Sequence, residues 1–168
     1  GFSAGLPFLL VFSTLTAWLR DYDISRTAIG FFAWIGITYS IKVVWAPVVD
    51  RIPLPALTRL FGQRRGWMLL AQAGIMLGLA AMALSDPREH LYPIALLALL
   101  VAFSSATQDI AIDAFRIESD ADEFQAALAG TYVIGYRLAI LVAGAGALYI
   151  ADYAGWKTAY LAMAACAS

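Results

Sequence analysis

Four ionisable residues stand inside otherwise apolar stretches of this 168-residue sequence: Lys42, Asp109, Asp113 and Arg137. A charge at the middle of a bilayer costs at least about 2.5–3.5 kcal/mol, so such residues face a bundle interior or a water-filled cavity. There they carry protons, hold solute or neutralise one another. Two positive and two negative groups sum to zero, which suits neutralisation, since an unpaired buried charge is far less favourable than a paired one. Helical spacing puts Ser105, Asp109 and Asp113, extended by Gln108, on one stripe, with Phe103, Ala106, Ile110 and Ile117 on another. Arg116, three residues after Asp113, is placed to pair with it near the membrane surface. Tyr39, Tyr132 and Tyr136 suit the lining of a sugar or peptide site, and equally the packing of helices. Lys42 and Asp109 can be read as a functional pair or as a brace that fixes helix register.

Positioning such groups takes helices that cross a membrane. The sequence is 62% hydrophobic and only 14% charged, with a mean hydropathy of +0.76. That exceeds the roughly 45–50% apolar usage of soluble domains, so lipid is the expected solvent. Apolar runs long enough to span predict helices over about 2–19, 28–49, 67–85, 93–114 and 126–150, with a sixth starting near 157 and cut off by 168. The breaks are polar: Arg20 to Asp23, Asp50 to Gly66 with Pro53 and Pro55, Asp86 to His90, Glu118 to Glu123, and Asp152. A β-barrel would alternate apolar and polar residues, and these runs do not. Beginning on Gly1 and stopping within an apolar run, the chain reads as a fragment.

At about 1.5 Å per residue, Asp109 lies about 24 Å along the fourth helix and Lys42 about 21 Å along the second, at similar depth; Arg137 is about 17 Å into the fifth, near the midplane. In that fifth helix Gly135, Ala139, Ala143 and Ala147 form a small-residue stripe suited to close packing, and Arg137 lies off it. Gly74 and Gly78 repeat the pattern in the third helix, which carries no charge and reads as scaffold. Clustered Arg51, Arg59, Arg64 and Arg65 place the second loop, and with it the start of the first span, in the cytoplasm. Trp18, Trp45, Trp67 and Trp156 fall near span ends, as interfacial anchors do. The formal net charge of −1 and thinly spread basic residues exclude a nucleic-acid partner. One cysteine and one histidine leave no metal cluster and no disulfide framework. No cofactor is expected. Without a hydrolytic triad or phosphate loop, and with His90 in a loop, an enzyme is not the expected reading.

Five blocks carry a resemblance: Gly1 to Pro7 with Leu15 to Leu19; Tyr39 to Lys42 running into Trp45-Ala46-Pro47 and Asp50-Arg51; Arg64 to Met68; Ala106 to Ala114; and Gly135-Tyr136-Arg137. Through them the chain resembles, over essentially its whole length, the first half of the AmpG-type muropeptide permeases of the major facilitator superfamily. The superfamily motif Gly-x-x-x-Asp-Arg is met by Asp50-Arg51 with Ala46 in place of the glycine. About ten residues then separate Arg51 from Gly62-Gln63-Arg64-Arg65, a longer loop like that of the AmpG-type branch. The resemblance implies an all-α bundle, the six-helix N-terminal half of a twelve-helix carrier in the bacterial inner membrane. It implies proton-coupled import of anhydro-muropeptides for cell-wall recycling, with Asp50, Arg51, Arg64 and Arg65 as a conformational latch.

The residues supply a mechanism. Asp109, with Asp113 and Lys42 beside it, is the candidate to take up a proton on one side of the membrane and release it on the other. Arg137, always charged and fork-shaped, suits a substrate carboxylate; Gln108, Tyr39, Tyr132 and Tyr136 are the other candidate solute contacts. A carrier of acetyl-CoA or another organic anion is the near alternative. A non-transporting membrane scaffold whose charges are only braces is the distant one.

Overall fold

The computed structural model describes residues 1–119 and 122–167. Part of the expected break from Glu118 to Glu123, at Asp120 and Ala121, lies outside the described residues. Nine α-helices appear among the described residues and no strand: α1 Phe2–Val11, α2 Ser13–Asp21, α3 Arg26–Phe32, α4 Ile37–Arg51, α5 Pro55–Phe61, α6 Gln63–Ala83, α7 Leu91–Ser119, α8 Asp122–Leu141 and α9 Ala147–Cys166. A short 3-10 turn, Ala33–Gly36, joins α3 to α4, and a π-helical turn, Val142–Gly146, joins α8 to α9. Five continuous stretches are long and apolar enough to cross a bilayer: Phe2–Asp21, Arg26–Arg51, Gln63–Ala83, Leu91–Glu118 and Ala126–Cys166. The expected all-α membrane bundle is therefore the observed fold. The last stretch has 41 residues, roughly 60 Å and about twice a hydrocarbon core. It is broken at Gly155, whose φ of +82° and ψ of 161° no helix tolerates and few other residues adopt.

Two further irregularities face each other. The first span is interrupted at Phe12 (φ −112°, ψ −87°). Opposite lies the π turn, where Leu9 packs on Gly144 and the Thr14 hydroxyl donates to the Ala143 carbonyl at 2.8 Å. A side chain inserted this way keeps a distorted helix satisfied in apolar surroundings.

Small residues set the close seams. At the α1–α8 seam Gly5 lies against the Tyr136 carbonyl and Ala139, and Ala139, Ala143 and Ala147 are fully buried. At the α6–α7 seam Gly74 meets Ser104 and Gly78 meets Val101. These backbones approach because nothing larger than hydrogen intervenes. The apolar core between them includes Leu6, Leu10, Ile75, Leu79, Ile94 and Met163.

Two of the span-end tryptophans, Trp18 and Trp156, meet inside the bundle. Trp18 is 2% exposed and packs on Tyr160, ring centroids 4.7 Å apart, and on Trp156 at 6.3 Å. Trp156 Nε1 donates to Asp21 at 2.7 Å, and the buried Tyr160 hydroxyl donates to the Leu10 carbonyl at 2.9 Å. Arg88 sits over the Tyr22 ring. Trp45, Trp67 and Trp156 each donate their indole N–H within the protein, whereas the buried Trp18 N–H closes no hydrogen bond.

Candidate functional site

α7 is the floor of the site. Asp109, in its stripe of Ser105, Asp109 and Asp113, is met by Tyr39 and Lys42 of α4 and by Tyr132 and Tyr136 of α8, and the place where these groups gather is called the notch. Asp109 lies within electrostatic reach of Lys42, Asp113, Tyr39, Tyr132 and Tyr136. One Asp109 oxygen is buried and closes no hydrogen bond, and beside it the buried hydroxyls of Ser105 and Tyr39 have only each other. Buried polar atoms left open are costly, and they cluster where a site is built to receive something. Tyr39 is held against Phe8 and Phe12 of the first span, centroids 5.7 and 5.9 Å away. Tyr132 and Tyr136, one turn apart, stack at 6.2 Å and 28°.

Lys42 and Asp109 do not close an ion pair, whereas Asp113 lies 3.6 Å from Arg116. Arg116 also lies over the Tyr132 ring at 5.3 Å. Half-buried, Lys42 runs its stem along an apolar cleft of about 450 Å³ that Trp45, Leu99 and Phe103 help line. Trp45 fixes that cleft by donating from Nε1 to Thr107 Oγ1 at 3.2 Å.

Two candidate residues stand apart from the notch. Gln108 is 4% exposed and turns toward Ser3 and Gln72 instead. Arg137 is exposed, in the middle of an apolar face of α8 made by Val133, Ile134, Leu138 and Leu141. Its spacing of one residue from Tyr136 turns it about 100° away from the notch.

At the basic end of the bundle Arg64 bridges two carboxylates, Asp50 at 2.5 Å and Glu118 at 2.7 Å. The bridge ties the ends of α4 and α7 to the first turn of α6. Gly62, at φ +86°, makes the corner that turns α5 into α6. Gln63 then caps the end of α4, donating to the Asp50 and Val49 carbonyls at 2.7 and 3.3 Å, and Trp67 Nε1 donates to the Ile52 carbonyl. Arg65 lies over the Phe115 ring at 5.5 Å, while Arg51 is exposed at the end of α4. Of the four expected latch residues, Asp50 and Arg64 are brought together. Glu118, read from the sequence only as loop acid, is the third partner. Gln72 and Ser3 were also missed; an amide inside the apolar run of the third span was the available signal.

The comparisons agree with this architecture. A family model described as Acetyl-coenzyme A transporter 1 matches residues 2–95. The chain is 42% identical over 166 residues to the anhydromuropeptide permease of Escherichia coli (strain K12), covering 98% of this chain and 33% of that protein. It is 38% identical over 166 residues to putative transporter AmpG 4 of Rickettsia felis, covering 98% and 40%. A Haemophilus influenzae protein of uncharacterized function is 39% identical over 99% of this chain and 38% of its own length. The chain thus spans about a third to two fifths of the length of the curated relatives it matches. The spanning helices and the transporter relatives make it a multi-pass protein of the bacterial inner membrane. Matched over more than half its residues, the chain belongs to the acetyl-coenzyme A transporter 1 family and resembles the AmpG-type permeases.

Proposed function

We propose that this chain serves as the N-terminal half of a carrier that imports anhydro-muropeptides across the bacterial inner membrane by proton symport, in cell-wall recycling. The observation that carries the reading is the notch around Asp109, a carboxylate with an open buried oxygen beside Lys42 and three tyrosines. At about 1.5 Å per residue, Lys42 and Asp109 each lie roughly 13 Å inside the basic ends of their helices, near the middle of a hydrocarbon core. A carboxyl there gains from protonation whenever Lys42 withdraws, which is the switch a symporter needs. Asp113, held by Arg116 toward the surface, passes the proton onward. The stacked rings of Tyr132 and Tyr136 and the hydroxyl of Tyr39 offer the sugar and amide groups of a muropeptide an amphipathic wall.

Arg137 supports the same reading from the other side of α8. A guanidinium on a lipid-facing surface at that depth would be disfavoured by at least about 2.5–3.5 kcal/mol, so this α8 face turns toward the interior of the complete carrier, where it takes a substrate carboxylate. The basic end lies in the cytoplasm, and the Asp50–Arg64–Glu118 bridge holds one end-state of a rocking half. No enzymatic step is part of this function.

The test is uptake of labelled anhydro-muropeptide by the full-length Asp109→Asn protein. The expected result is uptake that no longer responds to external pH; retention of the wild-type pH response removes Asp109 from the coupling role. The family match favours a second reading, an acetyl-CoA carrier. Competition of each unlabelled solute against the other separates the two.

A further inference from the structure

Gln72 carries no charge and belongs to no motif, yet it sits where three spans meet. The Ser3 hydroxyl donates to Gln72 Oε1 at 2.7 Å. Gln108 Nε2 donates to Ser3 Oγ at 2.9 Å and also to Gln72 Oε1. The result is a closed triangle joining α1, α6 and α7. Gln72, Lys42 and Asp109 all lie roughly 13 Å inside the basic ends of their helices, counted at about 1.5 Å per residue, so the triangle is level with the notch.

We propose that Gln72 is a positioning residue which, with Ser3, holds Gln108 and thereby aims the next residue on α7, Asp109, into the notch. The proposal rests on the proton-coupling reading of Asp109. Neighbouring residues on a helix point about 100° apart, so pinning Gln108 toward α1 and α6 fixes Asp109 toward α4 and α8. The rest of the α6–α7 seam at this level is smooth. Gly74 on Ser104 and Gly78 on Val101 set how close the helices come, but small surfaces of this kind leave rotation about the helix axis weakly defined. The triangle supplies what they lack. Asp109 is faced by Lys42 and Tyr39 from α4, Asp113 from α7, and Tyr132 and Tyr136 from α8. α6 presents no titratable side chain between Gly66 and Ala83. Gln72 therefore influences Asp109 through geometry rather than charge. It uses only its oxygen in the triangle, its Nε2 having no partner. Gln72→Met thus removes the strong acceptor while keeping the side-chain volume.

The experiment places the full-length protein in proteoliposomes and measures two rates with labelled anhydro-muropeptide. One is proton-driven uptake. The other is solute counterflow, which needs alternation of the carrier but no net proton movement. Gln72→Met should lower proton-driven uptake by about tenfold or more while counterflow stays within about twofold of wild type, because a misaimed carboxylate fails in coupling and not in rocking. Ser3→Ala, which leaves the Gln108–Gln72 bond, should show the same split to a smaller degree, and it carries the test if Gln72→Met is not inserted. Equal loss in both assays, or loss in neither, overturns the proposal. Asp109→Asn run in parallel separates the two ideas. If it keeps wild-type pH-dependent uptake, the coupling reading fails. If it is uncoupled while Gln72→Met lowers both rates together, only the positioning role fails.

Discussion

Replacing Gly5 by alanine puts a methyl group into the narrowest part of the α1–α8 seam. A Cβ there would stand 2.7 Å from the Tyr136 carbonyl oxygen and 3.1 Å from the Ala139 Cβ. Ordinary contact between such atoms begins near 3.4 Å, so the helices must separate by roughly 0.7 Å. The nearest obstacle is backbone, which cannot swing aside as a side chain can. Overpacking of this kind costs about 1–3 kcal/mol, and alanine's better helix propensity returns about 1, leaving a net loss of about 1 kcal/mol. Gly130, on the α8 side, has nothing within 4 Å of its hypothetical Cβ. The same substitution there should stabilise by about 0.4–1 kcal/mol. Thermal unfolding of the full-length protein in detergent should move in opposite directions for the two variants. Gly5→Ala should also raise the apparent KM for muropeptide, since Tyr136 moves with the seam. If Gly5→Ala raises the unfolding midpoint as much as Gly130→Ala does, the seam does not set the position of the notch wall, and the reasoning fails.

Arg64→Gln removes the charge that two carboxylates share, and Arg64→Lys replaces a fork by a point charge; both should alter the uptake rate more than KM, with lysine recovering only part of the loss. Equal rates for wild type and Arg64→Gln would separate the bridge from transport. Tyr160→Phe keeps the ring packing on Trp18 but strips the Leu10 carbonyl of its donor. A loss of about 1–3 kcal/mol in unfolding free energy is expected, and a loss no larger than that of an exposed tyrosine such as Tyr153 speaks against the bond. For proton symport, raising external pH should lower wild-type uptake, since fewer carriers load a proton from outside. The Asp109→Asn protein should trace a flat line in the same measurement.

Much of the frame was legible because it depends on composition and local period. Apolar runs mark the spans, and the stripe of Ser105, Asp109 and Asp113 marks a polar face whatever packs on it. Gly74 and Gly78 announced a close seam. What escaped depends on partners far along the chain. Gln72 meets Gln108 at a separation of 36 residues and Ser3 at 69, and an uncharged amide barely dents an apolar run. The break at Phe12 has no glycine or proline at its own position. The glycines of 142–146 permit a π turn without requiring one. Arg137 could be placed in depth by counting, but its facing depends on which side of α8 the first span occupies. Trp18 sits at a span end in sequence and in the core in space, because Trp156 and Tyr160 close over it.

The Arg64 bridge also bears on how the protein is assembled in the membrane. Its three members come from different spans, and they meet only if the second, third and fourth spans have each crossed in the alternating sense. Were the fourth span inserted upside down, Glu118 would emerge on the far side of the bilayer and Arg64 would keep Asp50 alone. The bridge is therefore a checksum on insertion: it closes when the count and direction of the crossings are right, and stays open when one is wrong.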